Sequence, residues 1–238
     1  SNLKFDLDLF AMYWYNNNTA FRKSLNVDNL RIPPAVFALD AAFLQTAVFG
    51  YAGNYVASGN LILKSEGAFF SERYFDYLNP RLQQLLSGPQ NPAVNAEIAQ
   101  IFASNSDGFL IKRPFLNHMI GAQLSSSGWI FEGQFISEYI FDYSDVILPD
   151  KWYKAATLLI QKQFLRDKLE FRLFSRYNLN GSDFWANPEF GYDIADGVVF
   201  ISGFQFFGGD EPESFYGHFS FRDYADVSFG YLKLSAYF

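Results

Sequence analysis

Polar and apolar residues alternate with period two over long stretches of the chain. From Leu3 to Tyr15 one face reads Leu3, Phe5, Leu7, Leu9, Ala11, Tyr13, Tyr15, and the other Lys4, Asp6, Asp8, Phe10, Met12, Trp14. From Lys168 to Tyr177, Leu169, Phe171, Leu173 and Tyr177 oppose Lys168, Glu170, Arg172 and Arg176. Between Asp183 and Ile194, Phe184, Phe190, Tyr192 and Ile194 oppose Asp183, Glu189 and Asp193. Leu61, Leu63 and Phe69 oppose Lys64 and Glu66, and Trp129, Phe131, Phe135 and Tyr139 oppose Glu132, Gln134 and Glu138. Successive side chains of a strand point to opposite faces, so these segments predict strands with one apolar and one polar face. Asp40–Tyr51, Leu110–Leu124, Tyr153–Phe164, Gly197–Phe207 and Asp226–Phe238 are apolar and long enough to be strands too. The total is about ten.

The connections alternate in length. Asn54–Gly59, Ser125–Gly128, Leu165–Lys168 and Asp193–Gly197 are short; Asn16–Leu39, Phe75–Gly108, Asp142–Trp152 and Gly208–Ala225 are long, with Asn178–Ser182 the short exception. Outer-membrane barrels have short periplasmic turns and longer extracellular loops. On that pattern both ends of the chain lie on the periplasmic side.

Composition sharpens the choice of surroundings. Half of the 238 residues are hydrophobic and 20% are aromatic, yet no stretch approaches the roughly 20 consecutive apolar residues of a membrane helix. In lipid every backbone polar group is paired internally, which leaves helices and closed barrels as spanning structures. A soluble β-sandwich alternates as well. Aromatics near strand ends (Tyr13, Trp14, Tyr15, Trp129, Tyr139, Tyr177, Tyr192, Tyr237) favour interfacial girdles and hence the barrel. The expected fold is therefore all-β, an antiparallel up-and-down transmembrane β-barrel forming one domain over residues 1–238. The net charge of −7 argues against nucleic-acid binding, which demands clustered Lys and Arg. The chain has no cysteine.

The stretch Asp196–Asp210, the run Phe215-Tyr-Gly-His-Phe219 and the last strand to Phe238 resemble a family of large Gram-negative outer-membrane porin-like proteins of poorly defined function. Leu61–Phe70 and Gly133–Tyr139 look like strands of the same family. The resemblance implies an outer-membrane, multi-pass protein. It also implies that this chain matches the C-terminal half of a longer barrel, completed by an N-terminal half or a second chain. Phe238 resembles the C-terminal signal read by the barrel assembly machinery, although the usual Tyr two residues upstream is Ala236 here. Implied partners are outer-membrane lipid and that machinery.

The chemistry sits on the polar faces. Lys4, Asp6, Asp8, Lys64, Glu66, Glu132, Glu138, Glu170, Arg172, Arg176, Asp183 and Glu189 are the expected pore-lining residues, since inner-wall charges of a barrel line water and set selectivity. A symmetric turn would set Arg176 opposite Asp183. In the long loop, Val94, Ile98, Ile101 and Phe102 have helical spacing. They fit either a short helix on the rim or a loop folded into the pore. The two histidines are His118 and His218. Asn117-His118 brings hydrolases using Ser and His to mind, but no diagnostic Ser motif lies beside it in sequence, and triads are recognised by geometry. No metal-ligand spacing or phosphate loop is present. The sequence is thus read as a non-enzymatic channel or transporter for small or amphipathic solutes, without a cofactor. The alternatives are a sheath or docking barrel for a periplasmic or surface partner, and an outer-membrane hydrolase.

Overall fold

A computed structural model of the chain describes residues 5–15, 20–25, 37–89, 91–210 and 220–237. Lys4, His218 and Phe238 lie outside the described residues. Among the described residues there are twelve strands: β1 Phe5–Tyr15, β2 Ala20–Leu25, β3 Phe37–Ala42, β4 Gln45–Ser58, β5 Leu61–Asp76, β6 Leu110–Ser126, β7 Trp129–Ile140, β8 Trp152–Phe164, β9 Leu169–Asn178, β10 Asp183–Ala195, β11 Val198–Gly209 and β12 Phe229–Ala236. Two helices, α1 Pro80–Ser87 and α2 Pro92–Ser104, follow β5, and a 3-10 helix, Phe221–Val227, precedes β12.

Ten strands form one antiparallel sheet in the order β1-β4-β5-β6-β7-β8-β9-β10-β11-β12. Neighbours in the sheet are neighbours in the chain except where β2 and β3, paired as a separate hairpin, intervene. The ten expected strands are the ten of this sheet. The expected closure is not: β1 and β12 are its two edges and do not pair with each other. The expected strand from Asp40 is also displaced. Residues 40–42 belong to β3, and β4 runs on from Gln45 to Ser58. The segment from Asp226 begins in the 3-10 helix, and β12 starts only at Phe229.

The short turns gather at one end of the sheet. Ser127 and Gly128 link β6 to β7 with φ of 50° and 78°. Two successive positive φ values match the twist of the flanking strands in a two-residue hairpin. Between β8 and β9, Leu165, Arg166 and Asp167 are all left-handed. At the other end lie the longer connections. There Asn79 caps α1, accepting from Arg81 N at 3.0 Å and Leu82 N at 3.1 Å, and Asn91 caps α2 through Val94 N at 3.0 Å. Proline follows each cap, where its missing N–H costs nothing. Leu82, Leu85, Ile98 and Phe109 close a small apolar cluster. Helix α2 contacts β2, whose Lys23 bonds Asp76 Oδ1 at 2.6 Å and Gly108 O through its backbone N–H at 3.1 Å. The helical spacing read at Val94–Phe102 is thus a helix packed beside a hairpin.

Register assigns every strand residue to a face, because directly paired residues share one. Asp6 pairs with Asn54, Asn54 with Lys64, Lys64 with Gly121, and Gly121 with Gln134. Gln134 pairs with Thr157, Thr157 with Arg176, and Arg176 with Trp185. That row lies on the polar face. The opposite face carries Leu7, Phe49, Leu63, Ile120, Phe135, Leu158, Leu173, Phe190, Phe204 and Leu234 at the corresponding positions. Much of it is bare: Leu9 is 76% exposed and Leu232 71%.

Candidate functional site: the polar face and its basin

Asp6, Asp8, Lys64, Glu66, Glu132, Glu138, Glu170, Arg172, Arg176, Asp183 and Glu189 all fall on the polar face by register. The sheet brings seven of them into three groups rather than one ring, and Asp6, Asp8, Glu66 and Asp183 stand outside these groups.

In the first, Lys64 Nζ bonds Glu132 Oε2 at 3.0 Å and Gln123 Oε1 at 2.9 Å. Gln134 Nε2 donates to Glu132 Oε1 at 2.7 Å, and Thr157 Oγ1 donates to Gln134 Oε1 at 3.3 Å. Lys64 and Glu132 stand two strands apart, and the side-chain-free Gly121 between them opens the path. In the second, Arg172 and Glu189, paired across β9 and β10, approach at 3.7 Å. The Tyr231 hydroxyl donates to Glu189 and also reaches Asn187 Oδ1 at 3.0 Å. Glu170, Arg172 and Glu189 border a small cavity of about 230 Å³ at the short-turn end.

The third group surrounds a concavity of about 840 Å³ toward the long-loop end. Arg73, Glu138, Tyr153, Arg176, Trp185 and Phe221 are among its walls. Arg176 Nη2 donates to Tyr153 Oη at 2.8 Å and its Nε to Asn178 Oδ1 at 3.2 Å; Tyr153 in turn bonds Asn178. The Arg73 guanidinium lies 4.3 Å from the Phe115 ring centre and 5.5 Å from that of Phe75. Such stacking holds a cation in place without neutralising it. Glu138 is the carboxylate that acts on Arg73 electrostatically. Arginine forks over aromatic walls suit a solute with an anionic head and an apolar body. No described residue between 77 and 109 is among the basin's walls, so the helical loop does not line it.

Two sequence expectations change. Arg176 does not oppose Asp183: the loop 179–182 pairs Asn178 with Asp183 and Arg176 with Trp185. Asp183 is 1% exposed, and its Oδ2 accepts from the Phe221 backbone N–H at 2.6 Å. It anchors the 3-10 helix rather than facing the basin. Arg73, by contrast, was not among the expected residues. A bulge between Phe70 and Arg73 shifts the face of β5, so simple alternation from Lys64 and Glu66 misplaces it.

Among the described residues no group of His, Asp or Glu is arranged to hold a metal, and no helix is long and apolar enough to cross a membrane. No family model matches the chain, and no curated protein matches it.

Proposed function

We propose that this sheet is part of the wall of a porin-like β-barrel in the outer membrane of a Gram-negative bacterium, passing small or amphipathic solutes along its polar face. The observation that carries the reading is the opposition of the two faces of one sheet. One presents bare Leu, Phe and Ile side chains; the other gathers acids, bases and amides around an 840 Å³ basin. Soluble monomers rarely expose apolar patches beyond a few hundred Å².

Strand β8 adds detail. Its two lysines on the apolar face lie near its ends, each over a Trp ring: Lys154 4.7 Å from the Trp152 ring centre and Lys162 4.7 Å from that of Trp129. Between them the same face carries Ala156, Leu158 and Ile160. Eight residues of strand span roughly 26 Å, or about 18–21 Å along the membrane normal at the tilt of outer-membrane strands, so both lysines sit just inside an apolar band of roughly 25 Å. Lysines at such places extend toward the interface while their stems cover apolar surface.

The free edges of β1 and β12 require strands beyond the sheet to close a barrel, because lipid does not tolerate an open edge. These come from more of the same protein or from a second chain. The same edges keep a docking role open, in which a partner supplies the strands. The barrel assembly machinery is the expected insertion partner. Planar-bilayer recording on the purified protein separates the two readings. A channel gives discrete conductance steps whose cation-to-anion ratio shifts in Glu66→Lys. A protein that inserts without conductance, together with a partner that co-purifies through β1 or β12, favours docking.

A further inference from the structure

Ionisable residues on a lipid-facing surface are costly, and they mark function more often than packing. On the apolar face one such residue stands mid-strand, His118, and it is not alone. Ser65 Oγ lies 3.4 Å from His118 Nε2, and Tyr51 Oη lies 3.0 Å from the same Ser65 Oγ. Three strands build the cluster. Tyr51 on β4 pairs with Gly67 on β5, and Gly67 pairs with His118 on β6. A Cβ on Gly67 would come within 2.6 Å of the Tyr51 ring, so only glycine lets that ring lie across β5 and reach Ser65. The Tyr51 and His118 rings are 6.2 Å apart.

Two further features adjoin the cluster. Ser65 pairs with Ile120, and there an apolar groove of about 580 Å³ begins, walled by Leu63, Ile120, Ala122 and Phe135. Gly133 leaves its middle open, with nothing within 4 Å of the place a Cβ would take. In the other direction the row of His118 continues through Ser137 to Lys154. Trp152 Nε1 donates to Ser137 Oγ at 2.8 Å. An apolar trough, a Ser–His pair and a lysine beside tryptophan thus follow one another on one face.

We propose that Ser65 and His118 are the nucleophile and base of an acyl-ester hydrolase site, with the acyl chain of the substrate lying in the groove. That the ester is a membrane lipid rests on the proposal that this face meets lipid; the reactivity of the pair does not. With Nε2 as the unprotonated nitrogen, Ser65 Oγ bonds the ester carbonyl carbon as its proton passes to Nε2. The Tyr51 hydroxyl is the donor beside the carbonyl oxygen as that oxygen becomes negative. The bond from the carbonyl carbon to the alcohol oxygen then breaks, and the alcohol leaves with the proton from His118. Water attacks the acyl-serine by the same route, releasing the carboxylic acid and restoring Ser65. The pair is a dyad: among the described residues no carboxylate bonds His118. The 3.4 Å separation is of the kind that tightens when substrate binds.

The test uses the full-length protein in detergent, with folding read by heat-modifiable gel mobility. A small fluorophosphonate is expected to modify Ser65, located by mass spectrometry, and to modify neither Ser65→Ala nor His118→Asn. Tyr51→Phe is expected to keep the label and to lower hydrolysis of p-nitrophenyl esters at least tenfold. Gly133→Leu is expected to keep labelling and acetate-ester hydrolysis but to lose palmitate-ester hydrolysis. Folded protein that is not labelled at Ser65, or is labelled equally in His118→Asn, overturns the dyad. Unchanged palmitate-ester hydrolysis in Gly133→Leu overturns the groove assignment. None of these readouts needs a conducting pore, so a failed conductance experiment leaves them standing.

Discussion

At the residue scale, partners decide which charges are free to tune passage. Glu132 is a poor place for charge reversal. Lysine there would set a second ammonium against Lys64 and strand Gln134, whose Nε2 now donates to Glu132. Removing one partner of a half-buried pair costs about 1–3 kcal/mol, so Glu132→Lys is expected to lower the urea midpoint as well as alter selectivity. Glu66 is exposed on the same face, and Glu66→Lys is expected to shift reversal potential while leaving that midpoint within error. Asp183 gives the opposite pattern. Asp183→Ala removes the acceptor of the Phe221 N–H. It is expected to cost about 1–3 kcal/mol and to speed proteolysis near the 3-10 helix, while leaving ion selectivity unchanged. The polar-face charges were legible residue by residue where alternation runs unbroken, and Arg73, past the bulge of β5, was not. Ser65 beside His118 was not: the two stand 53 positions apart, and only the register of β5 on β6 joins them.

At the element scale, five strands of the main sheet were legible from a period of two and the other five from long apolar runs. The β2–β3 hairpin was not. Its six-residue strands lie inside a long connection, and their alternation, with Arg22, Lys23 and Asp40 among Phe21 and Leu39, is too brief to stand out. Helix α2 was legible from its apolar spacing, but α1 was not, since only Leu82 and Leu85 mark its buried side. The two helices are joined by a two-pronged contact, Arg81 Nε and Nη2 to Glu97 Oε1 and Oε2 at 2.6 and 2.9 Å. The hydrogen bond from Arg81 holds the Glu97 carboxyl below its ordinary range. A carboxyl with a depressed folded value contributes at neutral pH, and its contribution is lost as pH falls from the ordinary glutamate range through that lower value. Amide exchange in α1 is therefore expected to quicken in acid relative to the sheet. Glu97→Gln is expected to show the quicker rate already at neutral pH, with little further change on acidification. An α1 exchange rate indifferent to both would remove the pair from the account.

At the scale of the whole molecule, sequential pairing was legible because strands joined by short turns become neighbours. Closure was not, because nothing in the alternation of a strand says which strand lies beyond its far edge. The proposed barrel makes a direct prediction for these edges. In membrane-inserted, full-length protein the amides of β1 and β12 that point away from β4 and β11 are expected to be protected from exchange. Rapid exchange along the whole of either edge would mean an open sheet and would sink the barrel reading.

Strand β1 is apolar along the whole of one face and, beyond Asp8, along the other as well. Phe5, Leu7, Leu9 and Tyr13 project on one side and Phe10, Met12 and Trp14 on the other, with Trp14 65% exposed. Before insertion such a strand is a liability of a kinetic sort. An unpaired edge flanked by bare aromatics is a template for another copy of itself. The yield of folded protein is then a race between capture of β1 by its proper neighbour and capture by a second chain, and only the second path is bimolecular. Refolding into micelles is expected to fall steeply with protein concentration. Met12→Lys, which places a charge on the polar side of that edge, is expected to restore it, in the way gatekeeper charges protect exposed strands.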